Sequence, residues 1–373
     1  MAVTRRTVAT HASISRLIIG VTVLAALIAI APIVAAAFGI SGQRVATRTA
    51  FASAPSGNYA VVSRTEGQYD ILAVAWAENP GAITEVARVP HIDGMGATGS
   101  VSPDGTKVAL VAVDAGTATR PVASLITVDL VTGELFRAAL DIEPNQVPVW
   151  ARDGRSVVVT RAIASDTSLG AVQILSVALR GTEGVLWTSD AVLGVFPVGY
   201  EPSGSLIAVV IDGRGSTVTR DGTDALSLGT AITRDWQLSP DGAQLAYVEA
   251  NTDNGLRYLA RTVSLCRATS VQAQSLSAEV TALGVAWEPK SVRPTFGVEP
   301  GHESGGVTAQ ALKSGAGGFD VPLAYAPDGS TLAVMRWSGE SFLDAGSAQL
   351  ELVDASGRAA IDDYTRFLGW ARR

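Results

Sequence analysis

One short pattern recurs along this chain of 373 residues: a tight-turn signal followed at once by an apolar run. Ser239-Pro-Asp-Gly242 leads into AQLAYVE, Ser102-Pro-Asp-Gly105 into TKVALVAV, and Ala326-Pro-Asp-Gly329 into STLAVMR. Ala151-Arg-Asp-Gly154 leads into RSVVVTR, Glu201-Pro-Ser-Gly204 into SLIAVVI, and Ala54-Pro-Ser-Gly57 into NYAVVS. A degraded copy, Trp287-Glu-Pro-Lys-Ser291, precedes VRPTFGV. The final turn residues, 57, 105, 154, 204, 242, 291 and 329, stand 48, 49, 50, 38, 49 and 38 apart. That spacing is close to the period of blade-type repeats.

The physics of each copy is the same. Proline fixes φ for the first corner of a turn, an Asp or Ser side chain bonds the local backbone, and glycine takes positive φ. The run that follows is apolar on both alternating faces, as a strand covered on both sides should be. A second apolar strand follows in most copies, for example YDILAVAW, SLITVDL, VQILSVAL and AQLELVD. A weaker outer strand then leads into the next copy. The unit predicted is a four-stranded antiparallel blade, which cannot close its own faces and buries them by stacking in a ring. The fold expected is all-β, a β-propeller over residues 47–373 with seven blades, or six. Blades four and six are short and the copy at Glu288–Ser291 has lost its Asp-Gly. The tail Arg366-Phe-Leu-Gly-Trp-Ala-Arg-Arg373 repeats the Val149-Trp150-Ala151 pattern and stops before the turn. It is expected to complete the first blade and lock the ring.

These repeats resemble the WD40-like (PD40) repeats of TolB-type propeller proteins. The residues that carry the resemblance are Val101-Ser-Pro-Asp-Gly105, Leu238-Ser-Pro-Asp-Gly242, Trp150-Ala-Arg-Asp-Gly154 and Tyr325-Ala-Pro-Asp-Gly329. It covers about Thr47 to Arg373. It implies the fold strongly and the function weakly, because such repeats occur in binding proteins, periplasmic scaffolds and accessory domains of peptidases.

Residues 17–40 run LIIGVTVLAALIAIAPIVAAAFGI, 24 positions without a charge, enough to cross a bilayer core as a helix. Arg5, Arg6 and Arg16 precede the run, while Arg44 and Arg48 follow it. The excess puts the N-terminus in the cytoplasm by the positive-inside tendency. The expected organisation is a cytoplasmic tail at 1–16, a signal anchor at 17–40, a linker at 41–46 and an extracytoplasmic propeller. The alternative is a signal peptide cut after Ala35-Ala36-Ala37, but the run is longer than the apolar region such peptides carry.

Only 17% of residues are charged and the net charge is −7. No basic cluster offers a nucleic-acid face, so no nucleic-acid partner is expected. The single cysteine, Cys266, forms no intrachain disulfide and sits in the apolar stretch RTVSLCRA, where a buried thiol is expected. His11, His91 and His302 form no metal motif; His91, Asp93, His302 and Glu303 are the one set that a ring of loops could gather into a zinc site. Asn251–Gly255 and Arg220–Asp224 are oxygen-rich but lack the spacing of a calcium loop and read as hairpin turns. Ser239 beside Asp241 looks like a nucleophile beside a carboxylate in one copy alone. Across copies the pair varies with the turn, and a turn is what it is expected to be. Trp76, Trp187 and Trp337 are expected to pack in the core rather than line a ligand groove.

No catalytic residue, cofactor or metal ligand is therefore assigned. The function expected is non-catalytic: a membrane-anchored, extracytoplasmic protein-interaction platform, such as an accessory subunit of a membrane complex with other membrane subunits as partners. Two alternatives follow from the same ring. A receptor for a small molecule, glycan or envelope polymer at the channel mouth requires aromatic and polar residues converging on one face. A hydrolase or lyase requires histidines and carboxylates to cluster there.

Overall fold

The computed structural model describes residues 50–373 except 118–119, 145, 164–169, 191, 230–231, 252–256, 267–280, 292, 299–313 and 316. The tail, anchor and linker expected at 1–46 lie outside the described residues. Among the described residues no helix is long and apolar enough to cross a membrane, and a 3-10 turn at Ala50–Ser53 precedes an otherwise all-β chain.

The strands form successive antiparallel sheets, each starting with the strand that precedes a repeat turn. Blade 1 runs outward from the axis as Arg366–Arg372, Asn58–Glu66, Tyr69–Trp76 and Asn79–Pro90. Blade 2 is Thr98–Val101, Lys107–Thr117, Arg120–Asp129 and Leu135–Ile142; blade 3 is Val149–Trp150, Ser156–Ile163, Ala171–Ala178 and Glu183–Ser189. Blade 4 is Gly194–Tyr200, Leu206–Asp212, Gly215–Arg220 and Thr223–Gly229; blade 5 shows Thr233–Leu238, Gln244–Asn251 and Arg257–Ser264. Blade 7 carries Gly318–Tyr325, Leu332–Trp337, Ala348–Asp354 and Gly357–Ala360. These six sheets have three or more strands. At the place of the degraded turn stands the pair Ala282–Trp287 and Pro294–Val298, called blade 6 below.

Burial follows the predicted logic. The strand after each turn is sandwiched between neighbours, so Tyr59 to Ser63 and Val108 to Val113 are buried on both faces. Outer strands are largely exposed, as in Glu183–Ser189. The apolar clusters lie between blades rather than within them: Ala109, Val111 and Leu125 of blade 2 pack with Val157, Val159 and Leu175 of blade 3.

Neighbouring inner strands are also joined by a repeated hydrogen bond. Trp150 Nε1 donates to the Ser100 carbonyl at 3.0 Å, Trp287 Nε1 to that of Gln237 at 3.1 Å, and Trp370 Nε1 to that of Ala324 at 3.1 Å. Each tryptophan directly precedes its turn position. Each acceptor lies in the preceding blade, one residue before the position aligned with the tryptophan.

The C-terminal strand is the innermost strand of blade 1, paired antiparallel with Asn58–Ser63. It brings three closing contacts. Trp370 is buried and bonds blade 7; Arg366 reaches the buried Asp70 with Nη2–Oδ1 at 2.9 Å and the Ala97 carbonyl at 3.0 Å; and the Arg373 carbonyl accepts from Gly57 N at 3.0 Å. Each buried large apolar side chain contributes about 1.5–3 kcal/mol, and this strand supplies both Leu368 and Trp370. Deleting Arg366–Arg373 should therefore lower the melting temperature sharply and weaken cooperativity. A calorimetric scan matching the full chain would show that this strand does not close the ring.

Candidate functional site

The repeat turns are structural. Gly105, Gly154, Gly204, Gly242 and Gly329 each donate their N–H to the carbonyl three residues back at 2.8–2.9 Å. Ser239 Oγ donates to Asp241 Oδ1 at 2.6 Å and accepts from Gln244 N at 3.0 Å, while Asp241 Oδ1 also accepts from Ala243 N. The Ser239 hydroxyl and Asp241 Oδ1 are both engaged in holding their own turn, so the expected turn is what the structure contains. The turns also touch one another around the axis. A Cβ on Gly242 would meet Pro202 Cδ at 2.5 Å, and one on Gly105 would meet Arg372 N at 2.6 Å. Both glycines hold positive φ, 68° and 71°, so any side chain there meets strain as well as a clash.

The remaining sequence candidates separate. His91 lies just after the outer strand of blade 1, buried, with Nδ1 2.7 Å from the Ile92 carbonyl and Nε2 3.9 Å from Asp70 Oδ1. It is not in an exposed loop, and Asp93 is exposed and apart from it. His302 and Glu303 lie outside the described residues. Among the described residues no three His, Cys, Asp or Glu side chains are grouped to hold a metal. Cys266 is exposed, which corrects the expected buried thiol. The strand ends at Ser264; Val263 and Leu265 turn inward, and Cys266 falls on the outer side past the end of the ladder. Arg220–Asp224 forms a hairpin turn as expected: Asp221 accepts from Leu206 N at 2.8 Å, and Arg220 makes two 2.8 Å bonds to Glu201. Asn251 is the last residue of its strand, and residues 252–255 lie outside the described residues. Trp76 and Trp187 pack against apolar clusters, as expected, and Trp337 is half-buried.

What the sequence did not single out is a cavity at the opposite end of the channel. All inner strands run toward the turns, so their starts gather at the other mouth. There a cavity of about 690 Å³ lies among the inner strands of blades 3, 4 and 5. Its lining includes Val149, Phe196, Ile211 and Trp236, with Arg234 and Asp235. Phe196 and Trp236 lie 5.0 Å apart between ring centroids, and Trp236 Nε1 is satisfied by Thr233 Oγ1 at 2.8 Å. Arg234 Nε donates to Asp235 Oδ2 at 3.0 Å, and its guanidinium sits 4.9 Å over Tyr258 and 5.8 Å over Phe342. Phe342 comes from a blade 7 loop and meets Tyr258 of blade 5 edge-on at 5.1 Å.

Two local features build this mouth. The inner strand of blade 5 has a β-bulge, with Asp235 and Trp236 opposite one residue, and Asp235 adopts φ 55°. A bulge re-aims side chains, and a non-glycine residue in the left-handed region is uncommon, although Asp tolerates it better than most. Val147, Leu193 and Ile232 stand just before the inner strands of blades 3, 4 and 5 and are 56%, 66% and 66% exposed. The corresponding positions of blades 1, 2, 6 and 7 are Thr365, Ala97, Thr281 and Gly317. Among the residues that lead into the inner strands, the large exposed apolar ones are those of blades 3, 4 and 5, and Leu343 of the blade 7 loop that carries Phe342 is exposed as well.

The fold is shared with known propellers. TolB from Acinetobacter baumannii matches with a TM-score of 0.51 at 16% identity, over 85% of this chain and 67% of that one. A prolyl endopeptidase matches at 0.52 and 14% identity, over 82% of this chain and 48% of that one. Prolyl oligopeptidase B from Galerina marginata matches at 0.51 and 9% identity, over 83% and 49%. The chain spans about half the length of these two peptidases. Likeness at these identities establishes the fold alone. No protein-family model and no curated protein matches the chain.

The turn network carries a pH signature. Asp241 is held below the usual carboxylate range by the Ser239 hydroxyl and then by the Ala243 N–H. Asp328 is lowered by the Ser330 hydroxyl and N–H. A folded-state pKa below the unfolded value of about 3.9 gives stability that is present above pH 4 and lost as pH falls through the folded value. The melting temperature should drop below about pH 4, and Asp241→Asn with Asp328→Asn should flatten that drop while keeping the turns. Identical pH slopes for variant and parent would remove these turns as the source.

Proposed function

We propose that this protein is a binding propeller, an interaction platform that docks a partner protein at the mouth opposite its repeat turns. The observation that carries this reading is the convergence there of Phe196, Trp236, Tyr258 and Phe342 with the Arg234–Asp235 pair, beside the exposed rim of Val147, Leu193 and Ile232. An apolar centre with aromatic anchors, an arginine and a polar border is the anatomy of a protein-binding surface. Residues 17–40 supply the membrane tether in this reading, with the propeller on the extracytoplasmic side. The described chain begins beside the turn face, where Arg373 meets Gly57 and Ala52.

A second surface favours membership of a larger assembly. Phe136 and Leu140 on the outer strand of blade 2, and Val185 and Leu186 on that of blade 3, are exposed. The two strands are linked by Arg161, which donates to the Leu140 carbonyl at 2.8 Å and to Glu183 at 2.9 Å. An apolar patch on a blade edge marks a subunit contact.

The test is the native mass of the full chain extracted from its own membrane in mild detergent, with co-migrating proteins identified. A stable larger assembly is expected. It should lose a component with Trp236→Ala or Ile232→Asp at the mouth, and a different one with Leu186→Asp at the edge. A lone monomer for the parent and all three variants would overturn the platform reading.

A further inference from the structure

Three inner strands carry charge near their starts. Two of these charges are consumed inside the fold. Arg366 of blade 1 is paired with buried Asp70, and buried Asp320 of blade 7 accepts from Arg358 at 2.8 and 2.9 Å and from Arg336 at 3.3 Å. The third, Arg234 of blade 5, differs. Its one polar partner among the described residues is its neighbour Asp235, through Nε. Its Nη1 and Nη2 donate to no acceptor among the described residues, and the side chain lines the mouth cavity.

The guanidinium is nevertheless held in place. Asp235 fixes one edge, and the guanidinium carbon lies within cation–π reach of the Tyr258 and Phe342 rings, which stand edge to face with each other. A fork of N–H donors fixed in this way matches a carboxylate bidentately, and little rotamer freedom remains to be lost on binding. Next to it lies the apolar floor of Phe196 and Trp236. A ligand that uses both features has an apolar body and a carboxylate on the same end. The rim of Val147, Leu193 and Ile232 extends apolar contact beyond the cavity, further than a small acid reaches. Gln146 and Gln237 also line the cavity, with Gln146 Oε1 accepting from Thr160 Oγ1 at 2.7 Å and Gln237 Nε2 donating to the Leu323 carbonyl at 3.4 Å.

We propose that the mouth cavity recognises the C-terminus of a partner polypeptide, with an apolar last side chain on Phe196 and Trp236 and the terminal carboxylate on the Nη atoms of Arg234. This rests on the docking reading above and names the chemistry of its partner. Asp235 restrains the site against multiply charged anions and orients the fork.

Fluorescein-labelled hexapeptide mixtures ending in Phe, Leu, Ile or Val, made both as free acids and as C-terminal amides, test this by fluorescence polarisation on the full chain in detergent. The free acids should bind at least tenfold tighter than the amides, the worth of one charge-assisted pair. Arg234→Gln should abolish the difference and leave amide affinity unchanged, which also shows that the variant is folded. Equal binding of acid and amide, lost with Trp236→Ala, would overturn carboxylate recognition while leaving the docking site intact. Binding of neither form would overturn the proposal too. N-acetyl-phenylalanine competing as strongly as the peptides would overturn the chain-end assignment in favour of a free acid.

Discussion

Everything in this molecule depends on the joint between neighbouring inner strands. A four-stranded blade exposes two apolar faces, and only the next blade can cover them. At three joints the registration is set by one indole N–H donated to a backbone carbonyl of the preceding blade. Those tryptophans are buried, so a lost partner would leave a carbonyl without water, a cost of about 1–3 kcal/mol. Other joints use different groups. Tyr325 Oη lies 2.9 Å from Thr295 Oγ1 across blades 6 and 7, and Arg152 donates to the Tyr200 carbonyl across blades 3 and 4. The chemistry varies, while the place of the joint, at the foot of the inner strand, recurs.

That joint explains why a turn is repeated with such regularity. Gly105, Gly154, Gly242 and Gly329 lie against the proline, side chain or backbone of the preceding turn, so these turns line one end of the channel side by side. Even the degraded copy keeps the turn's hydrogen bond, Ser291 N donating to the Glu288 carbonyl at 3.0 Å, while the positive φ moves one residue earlier to Lys290 at 93°. One end of the propeller is therefore committed to packing. The other end carries the starts of the inner strands and the loops between second and third strands, which no neighbour constrains in the same way.

The fold was legible because its determinants are local. Turn chemistry and the apolar strands lie within a dozen residues of each other, and the final strand declared itself by repeating the Val-Trp-Ala pattern without its turn. Cys266 was misread, and the burial of His91 was not legible, for want of two non-local facts. The strand of Cys266 stops at Ser264, and antiparallel pairing of Tyr69 with Pro90 carries the next residue, His91, alongside Asp70. The mouth was illegible for the same reason on a larger scale, since its aromatics span residues 196 to 342 and come together through the closed ring alone. One local signal was present, the pair Arg234-Asp235 in the middle of a strand flanked by apolar residues.

That signal gains meaning by comparison with the other charges of the inner strands. A charge buried in a sheet is tolerated when it is paired, and Arg366 and Asp320 meet that requirement with partners from other strands. Arg234 and Asp235, both half-buried, pair among the described residues only with each other, side by side on one strand, at the cost of a bulge and a left-handed aspartate. Packing alone does not require this arrangement, because blades 4 and 6 have bulged inner strands with no charged residue. Local departures from a repeat that the fold does not need are where function is expected to lie. In this ring the departure coincides with the largest apolar rim and with the cavity that the rim surrounds.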